Sequence, residues 1–184
     1  MAICQPPDDF YLSSNGLNEN LPGNRGSFHL CRAEEIDYNK CDAASLTAGG
    51  FHKISLLRGH NRYHFAGKSV DTSDTLLLFS GPQMPYTFEP LSNDTSGFCC
   101  YFRVPFLSEK MKHNISQLPL FLQKGKSSFQ LSDAQDNYVS RIYAKMLGEM
   151  HSDYLYKSEL LKNYVMELIH YALKISPLPV KHAG

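Results

Sequence analysis

The sequence predicts a mainly β unit, a small antiparallel sandwich or barrel, followed by an antiparallel pair of α-helices. Three observations carry that reading. Short runs rich in β-branched and aromatic residues recur at close spacing, with Gly, Pro, Asp and Ser between them. From Ser132 onward the apolar residues change to helical spacing. No internal repeat and no low-complexity tract interrupts the order. With 184 residues, the chain is long enough for one domain and buries roughly 70% of its unfolded surface on folding.

Residues 1–26 are rich in Pro, Asn, Gly and Asp and read as an arm with little regular structure. Ser27 to Arg32 alternates and reads as a first strand. Residues 37–50 are polar, end in Gly49-Gly50 and read as a loop. FHKISLLRG, Phe51 to Gly59, is strand-like, and Arg62 to Val70 reads as a hairpin turning at Ala66-Gly67-Lys68. Thr75 to Gly81 is a continuous apolar run, broken by Pro82 and Pro85 before Tyr86-Thr87-Phe88 resumes. Gly97 to Val104 is a further strand, and Ser127 to Leu131 a last one.

Ser132-Asp133-Ala134-Gln135 is a capping-box pattern, in which a hydroxyl takes one orphan amide and a glutamine reaches back to another. Val139, Ile142, Tyr143, Met146, Leu147 and Met150 then follow at helical spacing. Ser152-Asp153 interrupts. From Tyr154 to Ser176 a second helix carries one apolar stripe, and Pro177 ends it.

Charge excludes one class of function. Lys plus Arg equals Asp plus Glu, so the net charge is +0, and no dense basic run is present to neutralise phosphates. The chain by itself is a poor nucleic-acid binder. Five cysteines, an odd number without framework spacing, fit free thiols and a cytoplasmic setting. The start MAICQPPDDF has no basic segment and no apolar core of a signal peptide, and no apolar run spans a membrane.

No catalytic motif stands out, so the reading is not an enzyme. His52, His60 and His64 lie in or beside the β unit, but no HxH pair places two imidazoles on one strand face, and no metal site or cofactor is expected. Cys99 and Cys100 are adjacent on a strand and point to opposite faces; only Arg103 is near them in sequence, and buried, inert thiols are the expectation. The apolar stripe of the last helix serves either core alone or core plus a partner surface.

FHKISLLRG, DTLLLFSGPQMPYTFEP and GFCCYFRVPFL, followed by the helical block from Ser152 to Pro177, resemble the N-terminal half of AraC-type transcription regulators. The resemblance covers roughly residues 26–177 and is most distinctive in the helical block. It implies a cupin-like jelly-roll barrel over 27–131, a helical dimerisation hairpin over 132–177, and, over 178–184, the start of a linker to a missing helix-turn-helix domain. It further implies a homodimer through the C-terminal helices and a possible small-molecule effector. DNA would be contacted only through the missing domain.

The strand positions that hold sugar-contacting residues in the arabinose sensor fall near Thr87, Gly97 and Cys99, none of them a good sugar platform. One face of facing strands offers Phe51, Lys53, Thr87, Cys99 and Tyr101 as the pocket. Leu161, Tyr164, Val165, Leu168, Ile169 and Ala172 form the expected dimer seam. The rival readings are a small cupin-fold enzyme and a free-standing small-molecule-binding module.

Overall fold

The computed structural model describes residues 27–36, 50–65, 68–82, 84, 86–122 and 124–176. The expected arm, nearly all of the 37–50 loop, Ala66 and Gly67 of the hairpin turn, and the tail from Pro177 lie outside the described residues. Eight strands are described: β1 (Phe28–Arg32), β2 (His52–Arg58), β3 (Asn61–Phe65), β4 (Lys68–Thr72), β5 (Leu76–Ser80), β6 (Tyr86–Pro90), β7 (Ser96–Phe102) and β8 (Ser128–Gln130). Three α-helices follow in chain order among them: α1 (Glu109–Lys112), α2 (Asp133–Met150) and α3 (Lys157–Ile175).

The strands form two antiparallel sheets, one of five strands in the order β1-β7-β2-β5-β8 and one of three in the order β4-β3-β6. The expected barrel is corrected here. Among the described residues no ladder joins the two sheets, so both stay open and stack face to face. The chain steps between layers at Gly59, whose φ of +91° suits glycine, and whose missing Cβ would stand 2.8 Å from the Asp94 backbone. Each layer then pairs its own neighbours rather than continuing round.

Period-two alternation assigns every strand of the large sheet two faces. Ile54, Leu56, Leu77, Phe79, Phe98, Cys100 and Phe102 look one way, toward the helices. Leu57, Leu76, Leu78, Cys99 and Tyr101 look the other way, toward Tyr63, Tyr86 and Phe88 of the small sheet. This explains why Thr75 to Gly81 reads as unbroken apolar sequence: β5 is covered on both sides, so alternation has no solvent face to mark. The small sheet has one wet face, where Arg62 bridges Asp71 (2.7 Å) and Glu89 (3.0 Å).

The helices form the third layer. Ser132 caps α2 as expected: its hydroxyl accepts from the Gln135 amide at 3.4 Å, and the Gln135 side chain accepts from the Ser132 amide at 2.9 Å. Tyr138 near the start of α2 stacks on Tyr171 near the end of α3, so the two helices run antiparallel. Arg58 at the end of β2 grips Asp136 of α2 through two hydrogen bonds, one of 2.8 Å, and fixes the helix pair to the sheet. Tyr143 donates to the Ile54 carbonyl at 2.8 Å and stacks on Phe98.

Two expectations shift. The last helix begins at Lys157, and Tyr154, Leu155 and Tyr156 form an exposed turn before it. Between β7 and β8 the chain makes short helical turns, α1 among them, that the sequence pattern did not suggest. Such turns are too short for a period to register, yet they insert Phe106, Ile115, Leu120 and Phe121 into the core.

Candidate functional site

The interior between the two sheets is not wholly apolar. Two rows of side chains cross the inner face of the large sheet. One row holds Cys31, Cys99 and Ser55, which are register partners across β1, β7 and β2. The next holds His29, Tyr101, Lys53 and Ser80, partners across β1, β7, β2 and β5. Strand alternation puts them there: Lys53 and Ser55 occupy the inward positions of β2, while Ile54 and Leu56 take the outward ones.

Lys53 is the unusual member, a lysine only 4% exposed in the middle of a sandwich. Its ammonium lies over three rings, at 4.7 Å from Tyr86, 5.2 Å from Phe88 and 5.3 Å from Tyr101. Cation–π attraction of this kind contributes about 2 kcal/mol when desolvated, which offsets only part of the cost of burying a charge. No carboxylate pairs with Lys53 among the described residues. Burial acts to lower its pKa, but the Tyr86 hydroxyl and the Cys99 sulfur together outweigh burial and hold it above the ordinary lysine range.

The groups around Lys53 are polar and buried. The Tyr86 hydroxyl donates to Ser55 Oγ at 3.0 Å. Cys31 Sγ lies 3.8 Å from the Cys99 carbonyl oxygen. The Cys99 thiol is held down to about 6, first by the Cys31 thiol that hydrogen-bonds it and then by the Lys53 charge, against the upward push of burial. Burial of His29 lowers its imidazole to about 4, so it is neutral at pH 7.

Of the five expected pocket residues, Phe51, Lys53, Cys99 and Tyr101 all lie buried on this inner side. The Thr87 side chain lies outside the described residues; its backbone pairs with His64. Sequence reading missed Cys31, Ser55, Tyr86 and Phe88 as neighbours of Lys53. One signal was available: HKISLLR places Lys and Ser two apart inside an otherwise apolar strand, which puts both on one face. The pairing of Cys99 with a cation was not legible, because that cation is Lys53, from another strand. Arg103, the near neighbour in sequence, lies over the Phe51 ring instead, at 4.3 Å. Cys100 looks the other way, toward the helices, and burial pushes its thiol up.

Most residues expected at the dimer seam are interior to the single chain. Leu161, Val165, Leu168, Ile169 and Ala172 are buried in the chain's own core against α2 and the outer face of the large sheet, and Tyr164 is half-buried. The helix residues left exposed are different ones, notably Tyr138 on α2 and Tyr154, Leu155 and Tyr156 at the turn, with Leu155 at 77%. His64 bonds Ser69 at 2.8 Å on the wet face of the small sheet. Among the described residues no group of three or more His, Cys, Asp or Glu side chains is placed to hold a metal ion. No helix among them is long and apolar enough to cross a membrane.

Fold and interior together define a two-sheet sandwich with a buried cationic centre, backed by a helix pair. No family model matches the chain, and no curated protein does. Several solved structures are similar at low level, two AraC-type regulators among them. The AraC-like transcriptional activator CuxR is 10% identical, with 78% of this chain and 49% of that chain covered and a TM-score of 0.44. ToxT from Vibrio cholerae is 10% identical, with 80% of this chain and 57% of that chain covered and a TM-score of 0.37. The chain thus spans about half the length of each.

Proposed function

We propose that this chain is the effector-sensing and dimerisation part of an AraC-type transcription regulator, and that its effector is a small acidic molecule held at Lys53. The observation that carries the effector class is the buried ammonium without a carboxylate partner among the described residues, ringed by Tyr86, Phe88 and Tyr101. Among the described residues the Cys99 sulfur is the main counter-charge to this ammonium, and a buried cation so sparsely paired costs stability that a bound carboxylate would restore. An anion with an apolar body satisfies both the charge and the rings. The sequence resemblance supplies the regulator, and in that reading DNA is contacted by a helix-turn-helix domain outside residues 1–184. A natural reading frame without such a domain would sink that part.

The probe for the effector site is benzoate, with neutral benzamide as its isostere. Benzoate raises the melting temperature of the chain saturably, as any ligand of the native state does, and benzamide does not. In Lys53→Met the benzoate shift disappears while the protein itself is as stable as before or more so, because an apolar chain of similar length replaces a buried charge. Equal shifts from benzoate and benzamide would refute an acidic effector.

For dimerisation, the surface proposed is the exposed turn between the two helices, Tyr154 to Tyr156. Light scattering at tens of micromolar shows a dimer, and Leu155→Asp shifts it to monomer without loss of fold. A monomeric wild type would overturn the proposal.

A further inference from the structure

We propose that Cys31 and Cys99 form a peroxide-sensitive dithiol that closes to a disulfide inside the sandwich. The geometry comes from register. Cys31 of β1 and Cys99 of β7 are directly opposed across an antiparallel ladder, and both side chains occupy the interior between the sheets. Directly opposed residues in such a ladder have Cα atoms about 4.5–5.5 Å apart, inside the range a disulfide spans. Both cysteines are free thiols. The pair does not depend on the effector reading.

Reactivity follows from the neighbours. Lys53 reaches the same space from β2, and a cation beside a thiol favours the thiolate, the nucleophilic form. The other titratable groups facing Cys99 are Cys31 and His29 from β1, Tyr63 from β3, Tyr86 from β6 and Tyr101 of its own strand. At neutral pH none of these brings a fixed negative charge; the carboxylate that acts on the pair is Glu35, in the turn after β1, and it raises the Cys31 thiol. Access comes from position: among the described residues β1 is the edge of the large sheet, and edge strands open at a lower free energy than central ones.

The oxidant is hydrogen peroxide. The Cys99 thiolate attacks the peroxide oxygen, an S–O bond forms, the O–O bond breaks, and hydroxide leaves to become water. The Cys31 thiol then attacks the Cys99 sulfenic acid, an S–S bond forms, and the S–O bond breaks with loss of a second water. Two thiols are oxidised by two electrons and one peroxide is reduced.

The test treats the reduced full chain with hydrogen peroxide, traps remaining thiols in denaturant and maps peptides by mass spectrometry. The expected result is one Cys31–Cys99 cross-link, lighter by two hydrogens, formed equally in Cys100→Ala. Its rate rises with pH to a midpoint near 6 in the wild type. In Lys53→Met that midpoint moves up and the rate at pH 7 falls about ten-fold, and Lys53→Arg restores it. The proposal is overturned if Cys31 and Cys99 stay reduced, if Cys99 is over-oxidised without a link, or if either pairs instead with Cys4 or Cys41. An unchanged rate in Lys53→Met removes Lys53 from the mechanism.

Discussion

Lys53 and Gly97 show how single residues set the limits of this sandwich. Lys53 breaks the apolar pattern of β2, and its neighbours repair the break only in part. Gly97 does the opposite: it is required by close approach. Its φ is +136°, and a Cβ there would lie 1.9 Å from the Leu56 carbonyl oxygen on the neighbouring strand. An alanine must push β7 away from β2 at the centre of the large sheet. We expect Gly97→Ala to cost about 3 kcal/mol in urea unfolding. A change below about 0.5 kcal/mol would show that the strands relax around the added methyl.

At the level of elements, the helix pair is the part whose meaning changes most. The stripe on α3 was legible as a stripe, but which surface it meets was not. Periodicity reports that one face is apolar; it does not report whether the cover is the same chain or another. The large sheet supplies the cover. Leu168→Ala is therefore expected to remove about 2–5 kcal/mol of stability by the same amount at every protein concentration. If that loss vanished on dilution, the residue would be facing a partner. The capping box at Ser132 is the contrasting case. It involves residues three apart, so local sequence was enough to find it.

For the whole molecule, buried imidazoles make the fold acid-sensitive. Burial lowers both His29 and His52 from 6.5 to about 4. The unfolded chain therefore binds protons between those values that the folded chain refuses. Stability is fully present above pH 6.5 and falls as the pH drops toward 4, by at most about 3 kcal/mol for each imidazole. Urea midpoints measured from pH 7 to 4 should decline over that window. His52→Phe, which keeps a ring between Phe102 and Phe121, should remove part of the slope. A midpoint flat across the window would place both groups in water.

The order of elements was legible from residue pattern: strands from Ser27 to Leu131, a helix capped at Ser132, a second helix after a break. Those are local facts, fixed by alternation, turn residues and caps within a few positions. Residue pattern also determined that Lys53, Cys99 and Tyr101 share a strand face with their neighbours two residues away. Long-range packing set the rest: the sheets stack openly, the apolar stripe of α3 meets its own chain, and Cys31, Cys99 and Lys53 come together. Those are pairings between strands far apart in the chain, and a period in one strand carries no information about which strand lies beside it.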